Sequence, residues 1–230
     1  GRGTSTMSTI TPSQLSAAAS EAAVHGHAQG THTADEFAER VVQSMLGWAE
    51  TLAFHVGDRL GWYRSLADHG PSTAQELATR TGTSSRYARE WLEQQAISGV
   101  LLADQAAYRR FTLPPGAAEA LTDERSLAYT APLARMVSGA GSQIEPLLNA
   151  YRTGGGVSWT QFGTDVREAQ AAVNRPWFEQ LPATFAQVER IESLLHRPGA
   201  RIADIGTGAG WSAISLAKGY PELEVHGFDV

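Results

Sequence analysis

The chain has 230 residues, 42% hydrophobic and 18% charged, with a net charge of −6. That length suffices for one large domain or two modest ones with a real core, the composition excludes wholesale disorder, and the acidic balance argues against nucleic-acid partners. No apolar run approaches the ~20 residues of a membrane helix, and the absence of cysteine excludes disulfides and thiolate chemistry and fits a reducing, cytoplasmic setting without a signal peptide.

Residues 1–33 read as an expression scar, "GRGTST" before Met7, followed by a flexible polar tail. The tail holds His25, His27 and His32, but no carboxylate set completes a metal shell around them. Residues 34–150 read as a helical, winged-helix-like dimerisation domain. It opens with Phe37, Val41, Met45, Trp48, Leu52 and Val56, spaced by threes and fours as one apolar helix face. That face is heavy enough to pack on a second subunit.

Gly70-Pro71 ends the next helix. Thr73 and Glu76 have capping-box spacing and open a short helix that Gly82 closes. Ser84 or Ser85 caps another helix, with Tyr87, Trp91, Leu92 and Ile97 as its expected buried face. "VLLA" and "YRRFT" follow as two short strands joined at Asp104-Gln105. Helix, turn, helix and ribbon make a winged-helix pattern. Between Pro71 and Thr112, Arg80, Arg86, Arg89, Arg109 and Arg110 face Glu76, Glu90, Glu93 and Asp104. Five cations against four acids is too even for a DNA-reading surface, so packing or dimerisation is the better reading.

Residues 126–149 are helical in pattern. Residues 151–198 then read as a glycine loop and connecting helices. "YRTGGGVSWTQFG" places Gly154 to Gly156 beside Trp159 and Phe162, a loop able to close over a ligand or simply to connect domains. Residues 165–196 follow as two helices, interrupted at Pro182.

Residues 199–230 read as strand, helix, strand. "RIADI" is an apolar run expected to be buried on both faces. "WSAISLAKGYP" is a helix that packs through Trp211, Ile214, Leu216 and Ala217. "LEVHGFDV" is the second strand. This is the first βαβ unit of a parallel α/β domain. A dinucleotide turn needs G-x-G-x-x-G, whose third glycine lets helix and strand pack closely. Here that position is Trp211. The pattern is instead Asp204, Gly206, Gly208, Gly210. A carboxylate before the turn repels pyrophosphate and attracts an ammonium or sulfonium group, which describes S-adenosyl-L-methionine.

Asp204-Ile205-Gly206-Thr207-Gly208-Ala209-Gly210 resembles motif I of class I S-adenosylmethionine-dependent methyltransferases. Asp229 lies 23 residues after Gly206, where that family places the acid that holds the ribose hydroxyls. "LATRTGTSSRYAREWLEQQAISGVL", "YRTGGGV" and the glycine turn, in that order, resemble a bacterial subgroup with an N-terminal winged-helix dimerisation domain before a Rossmann-like domain. The resemblance runs from Phe37 to Asp229 and implies a homodimer acting on a small-molecule methyl acceptor. It implies cofactor contacts at Asp204, Gly206, Thr207, Gly208, Gly210 and Asp229. It implies further contacts at Tyr151 and Gly155 in the glycine loop. No catalytic residue is assigned; His226, inside a strand, is read as a packed or surface histidine. The family's sheet has seven strands, so the chain is read as ending after the second, with weak or absent cofactor binding on its own. The alternatives are a winged-helix transcription regulator with a small-molecule-sensing α/β unit, and an NAD-dependent oxidoreductase, which Asp204 and Trp211 oppose.

Overall fold

A computed structural model describes residues 33–229; the scar and tail readings, with His25, His27 and His32, lie outside the described residues. The chain divides into two units, Gly1–Leu46 and Gly47–Val230. Helix α1 (Ala34–Arg59) runs through the division. Thr33 caps it: its hydroxyl accepts from Glu36 N–H, and Glu36 returns a bond to Thr33 N–H at 2.8 Å. In the first unit Phe37, Val41 and Met45 are exposed, Met45 by 64%.

The second unit begins with the rest of α1, where Trp48, Leu52 and Val56 are also exposed. Next come α2 (Trp62–His69), α3 (Ala74–Thr81), α4 (Ser85–Ile97), and the antiparallel ribbon of β1 (Leu102–Ala103) and β2 (Phe111–Thr112). The expected capping box of α3 is present in both directions, and Gly82 closes the helix in the left-handed conformation at φ 65°. One core joins these elements. Trp62, Tyr63, Leu66, Leu77, Ala88, Trp91, Leu92, Leu101 and Phe111 are all buried. The Trp91 ring lies 4.8 Å from Trp62 and 5.0 Å from Tyr63, and its Nε1 donates to Ala53 O at 2.9 Å. The Tyr63 hydroxyl donates to buried Gln95 Oε1, so the polar atoms beneath the aromatics are satisfied.

Two details differ from the sequence reading. On α4 the buried residues are Ala88, Trp91, Leu92 and Gln95, while Tyr87 is 67% and Ile97 89% exposed. The helix turns its alanine and glutamine inward because the aromatic cluster leaves room only for small or hydrogen-bonding neighbours. The ribbon strands are two residues each, and their connection is the longer loop 104–110. Asp104 organises it by accepting from Ala106 N–H and Arg110 N–H.

Beyond the ribbon lie α5 (Pro115–Thr122), α6 (Ala131–Gly141), α7 (Ile144–Thr153), a 3₁₀ turn (Trp159–Phe162), α8 (Gly163–Glu179), α9 (Leu181–Phe185) and α10 (Glu189–Leu195). The span read as two helices is therefore three. Gln180 breaks the first pair, ahead of Pro182, which sits in the first turn of α9 where its missing N–H costs nothing. Helix α8 packs on α6, where Gly139 admits Val166 so closely that a Cβ would lie 2.1 Å from its Cγ2. It also packs on the last helix of the chain.

That last part is β3 (Arg201–Ile205), α11 (Trp211–Gly219) and β4 (Glu224–Phe228). The strands pair in parallel, Arg201 with Glu224 through Ile205 with Phe228. A second core of Leu195, Leu216, Tyr220 and Leu223 seats the unit on α9 and α10. β3 is not buried on both faces: Ile205 is 77% exposed and Phe228 55%, since among the described residues only one side of the ribbon is covered. The buried side of α11 is Ser212, Ser215 and Leu216, with Ile214 and Ala217 exposed. Leu216 packs as expected, and two small serines beside it let the helix approach its strands.

Candidate cofactor site at the glycine turn

The turn between β3 and α11 carries three glycines at positive φ: Gly206 at 76°, Gly208 at 55° and Gly210 at 79°. Any L side chain there would be strained. Nothing lies within 4 Å of a Cβ built on Gly206 or Gly208, so both backbones border open space. Gly206 and Thr207 N–H both donate to Phe228 O, at 2.8 and 3.1 Å, which ties the turn to the end of β4. β4 permits this through Gly227, whose Cβ would sit 3.0 Å from Thr207 Cγ2.

The two acids act differently. Asp204 Oδ2 accepts from the Thr207 hydroxyl at 2.8 Å and the Ser212 hydroxyl at 2.5 Å. Its carboxylate thus joins the strand, the turn and the start of α11. Asp229 Oδ2 accepts from Gly208 N–H at 2.5 Å and lines the space in front of the turn. His226 pairs with Glu224 at 2.9 Å, on the surface.

A cavity of about 570 Å³ opens against the turn. Gly206, Thr207, Gly208, Ala209, Trp211 and Asp229 form one wall. The opposite wall is α8, through Arg167, Glu168, Gln170 and Asn174 among others, with Trp159 from the 3₁₀ turn. Gln170 Nε2 donates to Asn174 Oδ1 at 3.1 Å, which fixes both amides on the α8 wall. Tyr151 and Gly155 do not line this cavity. Tyr151 is inside α7 and 85% exposed, and Gly155 follows the left-handed cap Gly154 in the loop. Sequence reasoning missed the α8 wall. The sequence offers only a faint signal: Thr164, Arg167, Glu168, Ala171, Asn174 and Phe178 recur at helical spacing, but two helices separate them from the glycine strand.

A second cavity of about 460 Å³ adjoins the first and shares Glu168, Ala171, Ala209 and Trp211 with it. Ion pairs line it. Arg135 Nε stands 3.1 Å from Asp58, the most buried pair, although that N–H is not aligned to donate a hydrogen bond. Arg64 and Arg175 share Glu124 at 3.2 and 3.3 Å. Burial pushes the Asp58 carboxyl above its ordinary range, against the pull of Arg135. Burial also raises the Tyr129 hydroxyl. Trp211, the residue at the third dinucleotide glycine position, faces this network. The Arg175 guanidinium lies 4.3 Å over its ring.

Residues 49–123 match the model of a family described as an Rv2258c-like winged HTH domain. No curated protein matches the chain. Among solved structures, it is similar to the mitomycin 7-O-methyltransferase MmcR at 25% identity and a TM-score of 0.59, covering 84% of this chain and 58% of that one. It is similar to a putative O-methyltransferase from Nostoc punctiforme PCC 73102 at 16% identity and a TM-score of 0.60, with coverages of 86% and 57%. It is also similar to human N-acetylserotonin methyltransferase, solved in complex with SAM, at 18% identity and a TM-score of 0.55, with coverages of 88% and 61%. The chain thus spans well under two thirds of the length of these structures. The fold is a mostly helical region with a winged helix-turn-helix, followed by a parallel βαβ unit of Rossmann-like type. No described helix is long and apolar enough to cross a membrane.

Proposed function

We propose that this chain serves S-adenosyl-L-methionine-dependent methyl transfer to a small-molecule acceptor. The observation that carries this is the convergence of the three-glycine turn and Asp229 on one cavity. The donor set fits the cofactor. Asp229 offers a carboxylate to ribose hydroxyls, the turn offers backbone without side chains, and the first-turn amides of α11 lack intrahelical partners. Asp229 would suit the ribose of either ligand; what opposes a dinucleotide is Trp211 at the third-glycine position and Glu168 in the wall of the cavity that a pyrophosphate would enter. When bound, the cofactor supplies a methyl group already activated by its sulfonium. The chain's residues then bind, orient and exclude water, and orientation supplies much of the rate. The adjoining charged cavity stands where an acceptor would reach the turn.

Exposed Ile205 and Phe228 leave the strand side of the site open to water, so we expect weak binding. Calorimetric titration with S-adenosylhomocysteine and with NADH tests the reading. Saturation by the first and not the second supports it; the reverse overturns it.

The regulator reading loses further ground. Arg110 forms a bidentate pair with Glu76, with contacts from 2.9 to 3.2 Å, and Arg80 donates to Ser65 and Ser72. Two of the five arginines are therefore held inside the wing domain. A homodimer through the exposed apolar face of α1 remains part of the proposal. Sedimentation of Met45→Glu beside the parent chain tests it, and identical masses would count against that interface.

A further inference from the structure

We propose that Arg167 and Glu168, consecutive residues of α8 outside the βαβ unit, bind the zwitterionic amino-acid end of the cofactor, Glu168 taking the ammonium and Arg167 the carboxylate. This rests on the S-adenosylmethionine reading above and extends it to residues that motif I does not contain. Asp204 was the carboxylate expected to attract the cofactor's cation. In the structure its Oδ2 is occupied by two hydroxyls, and Asp204 does not line the cavity. The cationic end of the ligand therefore needs another acid.

Glu168 is placed for that role. It lines the cavity opposite Gly206 to Ala209 and also the adjoining charged cavity, so it stands where the two meet. Among the described residues it has no hydrogen bond or ion pair. Arg167 lines the same cavity, and its single contact is a 3.3 Å bond to the Thr164 hydroxyl. The other cations nearby are committed. Arg175 is held by Glu124, Glu179 and the Trp211 ring, and Arg135 by Asp58 and Asp165. A cavity that leaves one carboxylate and one guanidinium uncompensated, side by side on one helix, matches a ligand carrying one charge of each sign.

The test compares two ligands that share adenosine and a thioether. S-adenosylhomocysteine carries the amino-acid end; 5′-methylthioadenosine lacks it. Titrated into the chain, Glu168→Gln is expected to weaken S-adenosylhomocysteine by about tenfold, as for loss of a hydrogen bond to a charged group, and to leave 5′-methylthioadenosine unchanged. Arg167→Gln should behave in the same way. Glu168 is exposed and Arg167 half-buried, so matched thermal midpoints should show intact folding. Unchanged S-adenosylhomocysteine affinity in both variants, or equal losses for both ligands, would overturn the assignment. If the parent chain binds neither ligand, this assignment falls for the chain, whereas the cofactor reading falls only if NADH saturates the chain in place of S-adenosylhomocysteine.

Discussion

Replacing Asp204 separates two roles for the acid of the glycine motif. In one it meets the ligand; in the other it builds the turn. The structure shows its Oδ2 accepting two hydroxyl hydrogen bonds, from Thr207 and Ser212. Each bond to a charged acceptor contributes about 1.5–3 kcal/mol. Asp204 is only half-buried, which places both at the low end. Asp204→Ala should then cost about 3 kcal/mol. Asp204→Asn keeps one acceptor oxygen but loses the charge, and should cost about half that. For a chain of this size, each kcal/mol moves Tm by roughly 2–4 °C. The alanine variant should therefore melt about 6–12 °C early and the asparagine variant about 3–6 °C early. Ser212→Ala shares the same bond, so the double variant with Asp204→Asn should lose less than the sum of the two. Differential scanning calorimetry reads these shifts, and S-adenosylhomocysteine titration below the melting range reads binding. If Asp204→Asn melted like the parent while losing all affinity, the carboxylate would be meeting the ligand directly and the structural role argued here would be wrong.

Two further outcomes follow from the packing and the charges. Gly57→Ala places a Cβ 2.4 Å from Trp91 Cζ2 and 2.6 Å from Tyr63 Cε2; both are buried core rings, so the variant should lose about 2–3 kcal/mol in urea denaturation, and a loss below about 0.5 kcal/mol would contradict this packing. Glu76 and Glu192 are held below their ordinary value of 4.5, the first by the Thr73 backbone N–H and the second by the Tyr220 hydroxyl. Because the folded values are the lower ones, their stabilisation is complete above about pH 4.5 and is lost as pH falls through the folded values. The raised carboxyl of Asp58 works in the opposite direction, so the test is the difference between chains: below about pH 4.5 the midpoint should fall less steeply in Glu76→Gln than in the parent, and parallel profiles would refute the assignment.

Local chemistry made much of the fold legible. The capping box at Thr73 and Glu76, the closing Gly82, and the strand–turn–helix–strand order around Gly206 all depend on neighbours within a few residues, and all appear in the structure. What failed was the choice of buried face wherever a partner element decides it. Tyr87 and Ile97 look like core residues by spacing, yet Trp62, Tyr63 and Trp91 fill that space first and leave α4 to bury Ala88 and Gln95. On α11 the pattern found Leu216 but also suggested Ile214 and Ala217, where the close approach of helix to strand selects Ser212 and Ser215 instead.

The candidate site divides along the same line. Its glycines were readable because positive φ is a demand on single residues. Its opposite wall was not, because Arg167, Glu168, Gln170 and Asn174 lie about 30–60 residues upstream of the turn and Asp229, on a helix whose polar stripe looks like any solvated surface. Only tertiary packing brings that stripe opposite the glycine turn: Gly139 admits Val166 of α8 against α6, and α11 packs on the same helix. A glycine motif shows where the backbone is left bare, but the charged side chains across the cavity come from an element the motif does not contain. Asp204 shows this most directly. The residue that first distinguished the turn from a pyrophosphate site holds the turn together through Thr207 and Ser212, and under the proposed assignment the ligand's charged end falls to α8.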